Sequence, residues 1–169
     1  MIRIHRLRRP APALVAAALL GFASVAADRL PPRVLVNESA SLPRGLYWRG
    51  PNRIPARGDV TAVPQPEVAR AYLRGLGMPG DVLLLKRIAA TGGDVVCAEA
   101  GRVKTPARSV EVRARDRRGT SLPSWNGCRR LASDELFLLG DTASSFDSRY
   151  FGPVRRAEKT GLYREVFTW

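Results

Sequence analysis

The feature that most constrains this chain is an uncharged segment near its start, residues 11–27, which consists mostly of Ala, Leu, Val and Phe. Four arginines and no acidic residue precede it. The segment is slightly shorter than the ~20 apolar residues that cross a bilayer comfortably. Because the basic flank disfavours a buried core helix, we expect residues 1–27 to be a basic tail and a membrane-spanning anchor. The small residues 25–27 leave a cleaved signal peptide open as the alternative.

Both alternatives predict the same topology for the rest of the chain. A basic flank stays on the cytoplasmic side of a membrane, so residues from about 28 onward should be exported. We therefore predict a domain over residues 28–169 at a bacterial inner membrane, facing the periplasm. The net charge of +13 would also suit an exported basic module that binds DNA or lipid. An arginine-rich coding style explains the same charge, and net charge bears on partners rather than on fold.

The exported part is predicted to be mainly β, because short apolar runs bounded by Gly and Pro recur along it. Residues 82–88 form an almost continuous apolar run, which is typical of a buried strand. Residues 135–139 predict a second strand, and residues 161–169 a closing one. One short helix is predicted between Pro66 and Gly77, since proline suits the first helical position and apolar residues follow at four-residue spacing.

Two cysteines, Cys97 and Cys128, are predicted to form a disulfide. Both lie in the exported part, where an oxidising compartment and an even cysteine count favour pairing. The bond would tie back residues 99–130, a charged stretch that we expect to form hairpins. Two free thiols in a reducing compartment are the alternative. A zinc site is disfavoured, because two cysteines without an available histidine are too few ligands.

The candidate catalytic base is a lysine, because the chain has one histidine and it is in the wrong place. That residue, His5, belongs to the basic tail, across the membrane from any exported serine. A desolvated lysine can activate a serine instead, and Ser-Lys pairs are a known variant of the catalytic triad. Lys86 interrupts the apolar run of residues 82–88, where burial would lower its pKa and leave a neutral amine. The structural alternative is a lysine that reaches water from a strand end.

The candidate nucleophile is Ser41. Pro43 follows closely and stiffens the turn that would present the serine hydroxyl. Ser39 lies two positions earlier, and in an extended segment both hydroxyls would face the same side. One could then attack while the other donates a hydrogen bond to the oxyanion. Taken alone, a serine beside a proline is more often a simple turn residue.

A third polar segment follows the strand at residues 135–139. In it, Ser145 is expected to donate a hydrogen bond that orients Lys86. Asp147 and Arg149 are expected to form a salt bridge that supports the loop. The alternative is a polar surface loop with an ordinary Asp-Arg pair.

Together these segments resemble the membrane signal peptidase clan of Ser-Lys proteases. Within that clan they are most similar to the conjugative-transfer branch, the TraF-type pilin-processing peptidases. Leu42 stands where general signal peptidases usually carry methionine, and the residues after it have the transfer-branch form. The segments that carry the resemblance are Ser39-Ala40-Ser41-Leu42-Pro43-Arg44-Gly45-Leu46-Tyr47, Gly58-Asp59-Val60, Leu85-Lys86-Arg87-Ile88 with Gly93-Asp94, Gly140-Asp141, Ser145-Phe146-Asp147-Ser148-Arg149 and Gly152-Pro153-Val154.

The resemblance implies a role for each matching residue. The nucleophile of the family matches Ser41 and its general base matches Lys86. Its oxyanion-assisting serine matches Ser39, which would act with the backbone N–H of the nucleophile. Its lysine-orienting serine matches Ser145, and the aspartate that it needs near the site matches Asp147.

The resemblance also implies an antiparallel signal-peptidase-like β fold and a membrane-bound serine endopeptidase. Its substrates would be exported precursors with small residues at the cleavage site, and in the transfer branch the partner is a pilin subunit. No metal, cofactor or nucleic acid is expected. A general signal peptidase with broad substrates is the nearest alternative. A self-cleaving Ser-Lys repressor is disfavoured by the apolar segment at residues 11–27.

Overall fold

Antiparallel sheets dominate the described part of the chain, which covers residues 32–156 and 160–169 of the computed structural model. The prediction of a mainly β fold is therefore confirmed. The predicted anchor over residues 1–27 lies outside the described residues, and so does His5. Within the described ranges, no helix has the length and apolar character needed to cross a bilayer.

The larger of two sheets has seven strands and is called the main sheet. Its strands are β1 (Val34–Asn37), β2 (Gly45–Arg49), β3 (Val60–Val63), β4 (Leu84–Thr91), β9 (Glu135–Leu139), β10 (Val154–Arg155) and β11 (Gly161–Thr168). Their order across the sheet is β1-β2-β11-β3-β4-β9-β10, and every neighbouring pair is antiparallel. The three strands predicted from the sequence correspond to β4, β9 and β11.

The smaller sheet, called the second sheet, has four strands. They are β5 (Val95–Glu99), β6 (Arg102–Lys104), β7 (Ser109–Glu111) and β8 (Gly127–Arg130), in the order β7-β6-β5-β8. The charged stretch after β5 therefore forms hairpins, as predicted. Cys97 and Cys128 face each other in register on β5 and β8, and a disulfide joins them.

The predicted helix is present as α1 (Glu67–Gly75). It begins directly after Pro66 and carries an acidic residue in its first turn, where negative charge is favoured by the helix dipole. Ala69 and Leu73 are buried against the core of the main sheet. The helix therefore covers one face of that sheet.

A second helix, α2 (Ser148–Phe151), is not predicted from the sequence. It has four residues, too few to show an apolar period. It begins after Asp147, whose side chain accepts a hydrogen bond from the backbone N–H of Arg149. A capping side chain of this kind satisfies one of the unpaired donors at a helix start.

Strand β9 is buried on both faces, and its residues alternate between two cores. Leu136 and Leu138 pack in the core that α1 covers. Phe137 and Leu139 point the other way and pack against residues of the second sheet. This double burial explains the continuous apolar run of the sequence, since a strand with one solvated face would alternate.

The last strand joins two halves of the main sheet. β11 pairs with β2 on one side and with β3 on the other. The hydroxyl of Thr61, on β3, also donates a hydrogen bond to the carbonyl of Gly161 at 2.9 Å. The half made of β1 and β2 is thus connected to the rest of the sheet through the end of the described chain.

Candidate active site

Ser41 lies in a tight turn between β1 and β2, where it is only 7% exposed. Its Oγ is 2.8 Å from the Oγ of Ser39. The two hydroxyls meet as predicted, but the prediction of an extended segment is wrong. The chain reverses direction between β1 and β2, and the turn rather than strand alternation brings the serines together.

The turn is held by Asn37, a buried residue that the sequence analysis did not single out. Its Nδ2 donates to the carbonyls of Ser39, Leu42 and Pro43 at 2.9–3.1 Å. Its Oδ1 accepts from both the backbone N–H and the hydroxyl of Ser39, the latter at 2.8 Å. One amide therefore fixes both the path of the turn and the direction of the Ser39 hydroxyl. Asn two positions before a serine is typical of such Asx turns, so the signal was present in the sequence.

Lys86 approaches Ser41 from β4. Its Nζ is 2.9 Å from the Oγ of Ser41, and the residue is only 6% exposed. Burial disfavours the ammonium form, and the positive charge of Arg149 acts in the same direction. The negative charge of Asp147 partly offsets them, and the pKa of Lys86 falls from 10.5 to about 8. A large fraction of this lysine is therefore neutral in weakly alkaline solution, and a neutral amine can accept a proton.

Asp147 and Arg149 form the predicted salt bridge, and it is buried rather than superficial. Two nitrogens of Arg149 each bind one carboxylate oxygen at 2.8 Å, with side chains 2% and 0% exposed. The guanidinium also donates to the carbonyls of Thr142, Ala143 and Ser145 at 2.9–3.2 Å and to the carbonyl of Glu111 at 3.2 Å. The pair thus fixes the loop at residues 142–145 beside Lys86.

Ser145 is buried in that loop, but its predicted hydrogen bond to Lys86 is not formed. Its Oγ has no hydrogen-bond partner among the described residues. The loop carbonyls are directed onto Arg149, and the Ser145 side chain packs where a Cβ on Gly140 would otherwise lie. The prediction that Ser145 orients Lys86 is therefore wrong for this structure. Lys86 is positioned instead by its contact with Ser41 and by the residues that bury it.

The segment Gly140-Asp141 closes the site on the side of Ser41. The backbone N–H of Asp141 donates to the carbonyl of Ser41 at 2.6 Å. A Cβ at Gly140 would lie 2.9 Å from that same carbonyl oxygen, so only glycine fits there. The carboxylate of Asp141 binds Arg87 through two hydrogen bonds of 2.7 and 2.9 Å. This pair was missed because its partners are distant in sequence.

These residues open onto a cleft with a volume of about 490 Å³. Its polar end carries Ser39, Ser41 and Lys86, and the rest of its wall is largely apolar. The apolar lining comes from β1, from the end of α1 and the residues that follow it, and from the start of β4. It includes Leu35, Leu73, Leu76, Met78, Leu83 and Leu85. Across the described ranges, no group of three or more His, Cys, Asp and Glu side chains is placed to hold a metal ion. A serine hydroxyl bound to a desolvated amine is suited to nucleophilic attack on a carbonyl.

Comparison with known families shows the family of the chain. The family model described as signal peptidase, peptidase S26, matches residues 11–169. The chain belongs to the S26 signal peptidase family. Membership in this peptidase family implies a precursor protein as substrate.

The chain is also similar to proteins that are named for conjugation. The plasmid transfer protein TraF of Escherichia coli is 33% identical over 148 residues, covering 79% of this chain and 82% of the relative. The conjugal transfer protein TraF of Agrobacterium tumefaciens is 37% identical over 148 residues, with the same coverage of 79% and 82%. A probable conjugal transfer protein TraF of Sinorhizobium fredii is 32% identical, covering 79% of this chain and 77% of the relative. The family and the branch inferred from the sequence are both confirmed.

Proposed function

We propose that this S26 family protein is a membrane-bound serine endopeptidase that processes exported precursors in conjugative transfer, with Ser41 as nucleophile and Lys86 as general base. The observation that carries the proposal is the 2.9 Å contact between a buried serine hydroxyl and a buried amine whose pKa is lowered to about 8. In this proposal the precursor is a pilin subunit, as the resemblance to the conjugative-transfer branch implies. The plasmid and conjugal transfer names of the similar proteins support a role in conjugation.

The first half of the reaction forms an acyl-enzyme. Ser41 attacks the scissile carbonyl while the neutral amine of Lys86 takes the hydroxyl proton. The backbone N–H of Ser41 and the hydroxyl of Ser39 stabilise the oxyanion. The ammonium of Lys86 then gives its proton to the leaving amine, and the peptide bond breaks.

The second half releases the product. Water attacks the acyl carbonyl, Lys86 takes the proton from that water, and the Ser41 ester bond breaks as the serine recovers its proton. In the free enzyme the Ser39 hydroxyl donates to Asn37. Ser39 must therefore turn its proton from Asn37 to the oxyanion when substrate is bound.

The protein is placed at the inner membrane in this proposal. Residues 1–27 serve as the basic tail and anchor, and residues 28–169 form the peptidase domain in the periplasm. The disulfide between Cys97 and Cys128 supports an oxidising compartment. Tethering would keep the enzyme near precursors that are themselves inserted in the membrane.

Processing of a pilin precursor in cells, followed by gel shift and by mating frequency, tests the proposal. Ser41→Ala and Lys86→Ala should each abolish processing, and the double variant should be no worse, since the two residues act as a unit. Ser39→Ala should lower kcat by about 10²–10³, the usual cost of one oxyanion donor. Lys104→Ala, an exposed lysine on β6, is the matched control. Retention of more than a few per cent of processing by Ser41→Ala or Lys86→Ala would contradict the proposal.

A further inference from the structure

A second cavity adjoins the cleft and plays no part in the proposed chemistry. Its volume is about 260 Å³, and three residues, Ser144, Ser145 and Phe146, line both it and the cleft. The loop that Arg149 fixes beside Lys86 thus forms a wall of the second cavity too. A peptide that passes through the cleft has its flanking residues close to this second cavity.

The second cavity is strongly basic on one side. The loop after β7 contributes four arginines to its lining, Arg113, Arg115, Arg117 and Arg118. Of the residues that line it, Asp116 is the single acidic one. The lining therefore carries a formal net charge of +3, from four arginines and one aspartate.

The acidic residue is engaged within the loop itself. The Asp116 carboxylate accepts hydrogen bonds from the hydroxyl of Tyr72 at 3.0 Å and from the backbone N–H groups of Arg118 and Thr120 at 2.8 Å. These bonds attach the arginine loop to α1, which carries Tyr72. Asp116 therefore fixes the backbone of this loop, which carries the surrounding arginines.

We propose that this arginine-lined cavity is a subsite for an acidic side chain of the precursor, close in sequence to the scissile bond. The inference rests on the proposed peptidase function. Arginine suits the role, because its planar guanidinium binds carboxylates through paired hydrogen bonds. The lining also includes three aromatic side chains that can pack against the methylene groups of a Glu or Asp side chain, namely Tyr72, Phe146 and Tyr150.

The same arginines could in principle bind lipid phosphates, but the geometry favours a peptide. The cavity shares a wall with the cleft that contains Ser41 and Lys86, so a side chain of the bound substrate reaches it without leaving the protein surface. The three aromatic side chains of the lining also suit a side chain with an aliphatic stem.

Quenched-fluorescence decapeptides test the subsite on the full-length protein in detergent. The peptides are identical except for one Glu, Gln or Lys, which is moved along both sides of an Ala-Ala cleavage site. At one position the Glu peptide should have a kcat/KM about tenfold above its Gln counterpart. One exposed ion pair is worth only a few fold, whereas the four guanidiniums that line this cavity act together. The Glu advantage should shrink as salt rises.

Charge reversal gives the decisive comparison. In the Arg113→Glu/Arg117→Glu variant the ratio of Glu to Gln cleavage should fall to about one or below, and the Lys peptide should become the better substrate. Arg156→Glu reverses an exposed arginine that lines neither cavity, so its ratio should match the unaltered protein. A swap of preference from Glu to Lys cannot arise from general damage to the fold.

Each other result counts against the subsite in a distinct way. Cleavage of the Gln peptide that depends on Ser41, with no Glu advantage at any position, would overturn the subsite and leave the peptidase function standing. Absence of any Ser41-dependent cleavage would overturn both. An unchanged Glu-to-Gln ratio in the double variant, together with a loss of its binding to vesicles of phosphatidylglycerol and phosphatidylcholine, would assign the arginines to lipid instead.

Discussion

The two sheets differ in whether they bury polar and charged side chains. The main sheet and its adjoining loops bury a lysine, an aspartate and an arginine, Lys86, Asp147 and Arg149, each at most 6% exposed. Of the described residues, no buried polar or charged side chain falls within residues 95–130, the stretch that contains the second sheet. There, apolar residues such as Val96 and Val103 turn inward and charged residues turn to solvent.

The side chains that destabilise the fold by burying charge therefore lie in or beside the main sheet, and the contacts that stabilise the second sheet lie apart from them. Removing charged groups from water costs free energy that pairing offsets only in part, so the main sheet holds these three side chains at an energetic cost. The second sheet gains stability in the ordinary way, from one apolar face and from a disulfide. Stability and activity should therefore respond to mutation in different ways in the two sheets.

The largest contrast should come from removing one partner of an ion pair in each region. Arg149→Met leaves the buried carboxylate of Asp147 without its partner, and it should cost about 3–5 kcal/mol of unfolding free energy. Arg102→Met removes a partner of Glu111 in the second sheet, where the pair is exposed and 3.6 Å apart. It should change stability by less than about 1 kcal/mol. Urea denaturation measures the free energy of unfolding of both variants. Equal decreases in that free energy would contradict the proposed difference between the two sheets.

Removing the disulfide should affect stability alone. The Cys97→Ser/Cys128→Ser variant opens a link between residues 31 positions apart. The chain-entropy model predicts a loss of roughly 3–4 kcal/mol. Because Ser41 and Lys86 lie on the main sheet, kcat at temperatures well below the melting point should stay within about twofold. A loss of kcat without a loss of stability would show that the second sheet positions the site.

Replacing Lys86, the proposed general base, should stabilise the protein while abolishing activity. With a pKa of about 8 in the folded protein and 10.5 as its ordinary value, Lys86 costs up to about 3 kcal/mol at neutral pH, and Lys86→Met should recover much of that. Between pH 8 and 10.5 the unfolded chain holds a proton that the folded protein has released. As pH rises through that window, the free energy of unfolding of the unaltered protein should therefore increase relative to that of Lys86→Met. Denaturation at pH 7 and pH 9.5 tests the sign.

The same pKa sets the pH profile of activity. Lys86 must be neutral to accept the Ser41 proton, so kcat/KM should rise about tenfold per pH unit at low pH and level off above about 8. His5→Ala should leave this limb unmoved. A limb near pH 6.5 that disappears in His5→Ala would indicate a histidine base instead.

The smallest expected effect concerns Asn37, whose side-chain amide holds the turn that contains Ser41. Asn37→Ala frees the Ser39 hydroxyl and three turn carbonyls, and it should lower kcat by about tenfold, less than loss of the oxyanion donor itself. Asn126→Ala is the control, because Asn126 donates to Ser124 on an exposed loop before β8. Equal kcat values for the two variants would show that the turn needs no such support.

Much of this could be predicted because the relevant signals are local. The apolar runs of β4 and β9 indicate buried strands, and a lysine within one of them indicates a desolvated amine. The missed or incorrect parts depend on distant contacts. The Arg87–Asp141 pair joins the middle of β4 to the loop after β9, and the direction of the Ser145 side chain depends on the hydrogen bonds that Arg149 donates to the carbonyls of that loop. No local pattern encodes either.

The position of β11 makes it a spacer within the main sheet. β11 lies between β2 and β3, so residues 161–168 are the hydrogen-bonded link between the strand that follows Ser41 and the strands that lead to Lys86. Shortening the chain before residue 161 would remove that spacer while leaving both residues of the proposed dyad in the chain.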